Sequence, residues 1–294
     1  MRIGSFVSIM LLAAAPALAE PALPQPLGVA PAKARALTDV PNAGAIERII
    51  WAPHLDEGWV PQGMSFAEGS LIVSAYHPKT AERAASCRLF RIDPHTGKET
   101  GVYDIAATCG HAGGLAYLGR NRLLVSDTSM LIEIDLAAAF KDGKDAVKRK
   151  IPLAGEMRGS YIAQRDGTPW IGTYSRTGDS RIFAVAPDKL TLTRLNDKEA
   201  SASLPVPPRA QGAAFDRAGQ LWISASSSTY GKLFRLDPKD GAVQASFDLP
   251  AGTEDLTFDD EGKLWTVSEA GAGSYGFWTT YFPVIFRIDI TRLK

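Results

Sequence analysis

The sequence predicts an all-β chain folded as a five-bladed β-propeller of four-stranded antiparallel blades, and three observations predict it. One short segment type recurs five times, at residues 62–66, 113–117, 160–164, 211–215 and 254–258, with spacings of 51, 47, 51 and 43 residues. Two further strand types follow every copy in the same order. A fourth type follows only four copies, while a solitary strand of that type, residues 46–51, stands ahead of the first repeat. Spacings of about 40–50 residues are those of a propeller blade. An ordinary β-sandwich gives no reason for three strand types to recur in register. A six-bladed ring would need one more repeat hidden in the loops, and none is visible.

Taken in order, the second strands fall at residues 71–74, 123–126, 170–172, 221–224 and 264–267. The third fall at 89–93, 131–135, 182–186, 233–237 and 285–289. Two of these run into the turns Asp93-Pro-His-Thr-Gly97 and Asp237-Pro-Lys-Asp-Gly241, where Pro presets φ and Gly supplies the permissive dihedral. Fourth strands are expected at 100–105, 147–153, 190–195 and 243–249. The last repeat has none, so the N-terminal strand at 46–51 is expected to complete it and close the ring, which removes exposed sheet edges. Residues 136–140 read as one helical turn. Trp170, Trp222 and Trp265 occupy equivalent second-strand positions and are expected between blades.

The ends carry their own signals. Arg2, the apolar stretch at 9–18 and Ala17-Leu18-Ala19 have the layout of a cleaved signal peptide over residues 1–19. The stretch is too short to span a membrane and Pro16 interrupts it. Residues 20–45 are rich in Pro and Ala and read as a flexible or wrapping arm, leaving 46–294 as a single propeller domain. The chain is therefore expected to be periplasmic or secreted. In such an oxidising compartment Cys87 and Cys109 are expected to pair, since a zinc site would have only His95 and His111 nearby.

Charge narrows the partners. Lys and Arg number 32 and Asp and Glu number 32, so the positive surplus that a nucleic-acid binder needs is missing. No G-x-S-x-G elbow, H-E-x-x-H helix, C-x-x-C pair or phosphate loop is present. What remains is convergence. The first strand of each blade lines the channel, so residues at its start gather at one mouth. These are Gln62, His111, Arg158, Ser160, Arg209, Gln211, Glu254 and Asp255, with His54, Asp56 and Glu57 slightly earlier. Glu254 and Asp255 are neighbours, so one of them, Glu254, is expected to face the axis. A second set, Tyr76, Asp127, Tyr174, Ser226 and Glu269, follows the second strands and is expected on the opposite rim. Asp127 and Glu269 there would bind calcium or pin loops. Tyr275, Trp278 and Tyr281 crowd a glycine-rich insertion in the last blade, as either a partner surface or packing under a loop.

Two chemistries suit this mouth. The first is binding of a small molecule or a protein, with polar channel residues in a structural network. The second is hydrolysis of a lactone or phosphoester, or a lyase reaction. There Glu254 would be base or calcium ligand, His111 acid or base, and Arg158 or Arg209 would steady a developing anion.

The units Phe215-Asp-Arg-Ala-Gly-Gln-Leu-Trp222 and Phe258-Asp-Asp-Glu-Gly-Lys-Leu-Trp265 resemble the gluconolactonase-like and strictosidine-synthase-like propellers. The resemblance extends over nearly all of residues 46–294. It implies six blades, one or two axial metal ions such as calcium, and often lactone or phosphoester hydrolysis, with Glu254 at the position of the metal-binding Glu. The asparagines that would complete such a metal site are elsewhere here, at Asn42, Asn121 and Asn196. His-Ala-Gly-Gly at 111–114 and Gln-Gly at 211–212 are similar to segments of secreted propeller proteins of uncharacterised role.

Overall fold

The computed structural model describes residues 22–38, 40–78, 85–105 and 109–294, so the expected signal peptide lies outside the described residues. Strand β1 (Ile46–Trp51) comes first. Blade one then contains β2 (Val60–Ala67), β3 (Ser70–His77), β4 (Ser86–Ile92) and β5 (Glu99–Ile105). Blade two contains β6 (Gly114–Tyr117), β7 (Arg122–Asp127), β8 (Met130–Asp135) and β9 (Val147–Pro152). Blade three contains β10 (Tyr161–Arg165), β11 (Thr168–Gly172), β12 (Arg181–Val185) and β13 (Ala200–Pro205). Blade four contains β14 (Ala210–Phe215), β15 (Leu221–Ser227), β16 (Tyr230–Leu236) and β17 (Val243–Leu249). Blade five is β18 (Thr253–Phe258), β19 (Leu264–Ser268), β20 (Val284–Ile288) and, as its outer strand, β1. Ile50 pairs with Ile285 and Trp51 with Val284. Five antiparallel blades closed by the N-terminal strand are thus the fold, and the described residues contain no sixth blade such as the resemblance implies.

Apolar residues are gathered between blades and not around one centre. Five buried clusters lie one at each blade interface, from Ile72, Leu89 and Leu123 between blades one and two to Ile50, Val73 and Trp265 between five and one. Trp170, Trp222 and Trp265 belong to three of them, as their periodicity predicts. The repeated Phe-Asp unit has a local purpose as well. Asp216 and Asp259 each accept a hydrogen bond from the Trp indole six residues on, at 2.9 Å, and from turn N–H groups, closing the hairpin between first and second strands. In the outer turns, Asp93 and Asp237 accept the N–H of His95 and Lys239. Gly97 and Gly241 adopt φ of 70° and 78° there, which L side chains resist. The helical turn is α1 (Leu136–Lys141), capped by Asp135 accepting from Ala138 N–H.

One strand departs from expectation. Residues 190–195 are not the outer strand of blade three. Leu190 closes a 3₁₀ turn, and Leu190 and Leu195 are buried against blade two, with Leu195 bridging Leu153. The outer strand is β13 instead. Its residues, Ala-Ser-Ala-Ser-Leu-Pro, are small and mostly exposed because an edge strand has little to bury. In the arm, Leu27 N–H donates to Ile49 O and Trp51 N–H to Leu27 O, adding a short parallel bridge beside β1.

Near the axis the five inner strands pack side by side. A Cβ added to Gly114 would lie 2.7 Å from Tyr161 Cα, and one added to Gly212 would lie 2.4 Å from Asp255 Cα. These are backbone contacts that no rotamer relieves. Gly114→Ala and Gly212→Ala are therefore expected to cost about 1–3 kcal/mol each. Gly110→Ala, which meets no neighbour, should stay within about 0.5 kcal/mol. Urea denaturation of the three variants checks this, and equal midpoints would contradict the tight axis.

Candidate functional site

An antiparallel hairpin returns its second strand to the rim where the first began. Val60 pairs with Tyr76 and Thr253 with Ser268, so the residues after the second strands share the mouth with the first-strand starts. The expectation of an opposite rim is corrected by this pairing, and the two sets merge into one site. Gln62 Nε2 donates to Glu269 Oε2 at 2.8 Å, and Gln211 Nε2 donates to Glu254 Oε1 at 3.1 Å. Glu254 and Glu269 are also hydrogen-bonded to each other. Above them Tyr76 and Tyr275 join hydroxyls at 3.0 Å.

The expectation that only one of Glu254 and Asp255 faces inward is also corrected. A bulge between Thr253 and Leu256 breaks the alternation, and the two residues are only 2% and 0% exposed. Glu254 stays at the mouth, whereas Asp255 drops into the axis. There its Oδ2 accepts N–H groups of Met64 and Leu115 at 3.0 Å, while its Oδ1 lies buried without a hydrogen-bond partner among the described residues. Blades one and two each supply a donor to this residue of blade five. Blade three brings Tyr161, whose ring occupies the space that Gly172 leaves and whose hydroxyl is pushed up by burial and by Asp255.

His111 sits on a loop held from two sides. The Asp127 carboxylate accepts N–H of Gly110, His111 and Ala112, the shortest at 2.7 Å. Asp127 thus pins the loop. Cys87 and Cys109 sulfurs are bonded at 2.15 Å, tying the same loop to blade one. Burial pushes the His111 imidazole below its ordinary value, which favours its neutral form, and its ring lies 5.0 Å from that of Tyr76.

Other expected residues are distributed differently. Arg209, Gln211, Tyr174, Ser226 and Glu269 line a cleft of about 590 Å³ over the mouth, walled by Tyr275, Phe277 and Trp278. Arg158 turns away, its guanidinium donating to the carbonyls of Gly155 and Met157 on its own loop. Ser160 Oγ accepts the N–H of Tyr174. Tyr281 is covered by the arm, under the Arg35 guanidinium and bonded through its backbone to Thr38. His54 bridges Glu57 and Glu99, and Asp56 accepts Ala32 N–H, beside a second cleft between arm and blade one. Arg176 lines the mouth without having been expected, because its loop carries no motif.

Among the described residues, the one trio of His, Cys, Asp or Glu close enough to share an ion is Cys87, Cys109 and Asp127. Its sulfurs are bonded to each other and its carboxylate is filled by N–H donors. For calcium, the mouth offers two carboxyl groups and two side-chain amides, oxygen ligands of the right kind.

No family model matches the chain, and no curated protein does. Solved structures do. The glutaminyl cyclase of Myxococcus xanthus superposes with a TM-score of 0.58 at 12% identity, over 83% of this chain and 94% of that one. The PQQ-bound aldose sugar dehydrogenase of Streptomyces coelicolor gives 0.50 at 15%, over 78% and 94%. At such identities the likeness is one of fold.

Burial pushes the Glu269 carboxyl up to about 8, and burial with the neighbouring Glu269 and Asp255 charges raises Glu254 strongly. Above the ordinary value of 4.5 the folded chain therefore holds more protons here than the unfolded one. Stability should fall as pH rises from about 4.5 to about 8. Urea midpoints of Glu254→Gln/Glu269→Gln should vary less over this window than those of the parent. An unchanged slope would contradict the assignment. Separately, Cys87→Ser/Cys109→Ser should lose about 3 kcal/mol from the 22-residue loop, read by the same denaturation.

Proposed function

We propose that this chain is an exported binding propeller that takes a small molecule in the mouth cleft, on the floor formed by Glu254, Glu269, Gln62 and Gln211. One observation carries the reading. Glu269, one of two adjoining buried carboxyl groups, lines the base of an open, aromatic-walled cleft, where a structural network would gain nothing from leaving the cleft above it empty of side chains. Clefts of about 300–1,000 Å³ with a few convergent polar groups suit small ligands. The bonded cysteines support export to an oxidising compartment.

A second reading, acid–base catalysis at the same mouth, is favoured by the raised Glu254 and Glu269 pair. Such a pair keeps a proton to give near neutral pH and a carboxylate to accept one. Arg209 would steady an anion, and His111, held neutral, would accept a proton. Arg158 has no part in it. Calcium held by Glu254 and Glu269 would add Lewis acidity. Lactones and phosphoesters are the substrates to assay, and the fold shared with a glutaminyl cyclase adds N-terminal glutamine peptides.

Thermal-shift screening of small polar compounds, followed by titration on Trp278 fluorescence, tests binding. A ligand is expected whose affinity falls at least tenfold in Glu269→Ala and is unchanged in Glu99→Gln at the second cleft. Ligands indifferent to Glu269→Ala would sink the reading. Elemental analysis of chelator-free protein separates the calcium version: about one ion per chain, lost in Glu254→Ala, is its required result.

A further inference from the structure

The mouth cleft has acid groups at one end and guanidinium groups at the other, and neither end is paired with a group of the opposite kind. At its floor Glu269 meets the Gln62 amide, with the buried Glu254 adjoining it and meeting that of Gln211, and among the described residues no basic side chain pairs with either carboxyl. At its rim, Arg176 and Arg209 come from loops of adjacent blades, and neither makes an ion pair among the described residues. Arg209 is also held in a conformation that side chains resist. Its φ is 62°, kept there by its N–H on Ser175 O and its carbonyl on Ser226 N–H. Strain at a non-glycine residue persists where surrounding bonds impose it, and such residues cluster at ligand sites. Between the two ends stand Tyr275 and Trp278, with ring centroids 4.7 Å apart.

Resting on the mouth as binding site, we propose that the ligand is a zwitterion with separated charges: an amine set against Glu254 and Glu269, a carboxylate against Arg209 and Arg176, and an apolar body along Tyr275 and Trp278. A short peptide or an ω-amino acid has this form. An ammonium supplies the cation that the buried carboxyls lack, and a guanidinium pairs a carboxylate through two parallel hydrogen bonds. A singly charged ligand leaves one end of the cleft uncompensated.

Calorimetric titration at low salt tests this with 6-aminohexanoate and glycyl-leucine as zwitterions. Hexylamine and hexanoate serve as the halves, and a neutral lactone as control. At least one zwitterion is expected to bind tenfold tighter than either half. Arg209→Gln should bring it down to the affinity of hexylamine without altering hexylamine itself, and Glu269→Gln down to that of hexanoate. Arg176→Gln, at an exposed position of ordinary backbone, repeats the first test without disturbing the strained one. Equal binding of zwitterion and halves, or an advantage that survives both arginine variants, overturns the proposal. If the lactone binds and depends on Glu269 while no zwitterion does, the proposal fails and the mouth stands as a binding site. If nothing binds in a Glu269-dependent way, both fail together.

Discussion

One carboxylate holds the centre of this ring. Asp255, in blade five, lies where the inner strands are closest, and its Oδ2 takes N–H donors from blades one and two, so that one side chain joins three blades. Without it these N–H groups would point into a channel too narrow for side chains, unpaired and away from water, each at a cost of about 1–3 kcal/mol. The same closeness requires glycine on the strands that lean on a neighbour. Serines do the complementary job further out. Ser74 Oγ donates to Ala112 O and Ser224 Oγ to Glu254 O, each fastening its own blade to the next. In blade three the place belongs to Gly172, because the Tyr161 ring fills it.

This arrangement separates two buried acids that are adjacent in sequence. Asp255 is bonded through Oδ2 to backbone donors of two other blades and belongs to the fold. Glu254 faces another acid, Glu269, which lines the cleft, and one amide, that of Gln211. The bulge that lets both turn inward is therefore the step that converts a structural strand into the floor of a site. Loop anchoring completes it: Asp127 and the bonded cysteines hold His111 beside Tyr76, and the last-blade insertion brings Tyr275 and Trp278 over the mouth.

Much of the architecture was legible because burial repeats with the blade. Apolar second and third strands, the Asp-turn-Trp hairpins and the displaced N-terminal strand all carry their signal in residue type. The edge strand β13 was not legible, since an exposed strand of Ala and Ser looks like a loop, while the buried Leu190 and Leu195 look like a strand. The site was half legible. Gln62, Gln211 and Glu254 follow from repeat position, and Glu269 follows once the hairpin is folded back onto its own rim. Arg158 shares the same alignment, but its side chain found nearer carbonyls, a choice made by a local loop and invisible to the repeat. Arg176 has no repeat counterpart at all.

The fifth blade has a consequence for how the ring comes to exist. Its outer strand is β1, among the first parts of the domain to be synthesised, and its remaining strands are the last. Blades one to four can each fold from contiguous sequence, while the apolar face of Ile46, Ile49 and Ile50 waits for a partner made at the other end of the domain. Contacts of such long separation make folding slow. A chain shortened at its C-terminus would thus be an unclosed ring with two adhesive edges and not a smaller propeller.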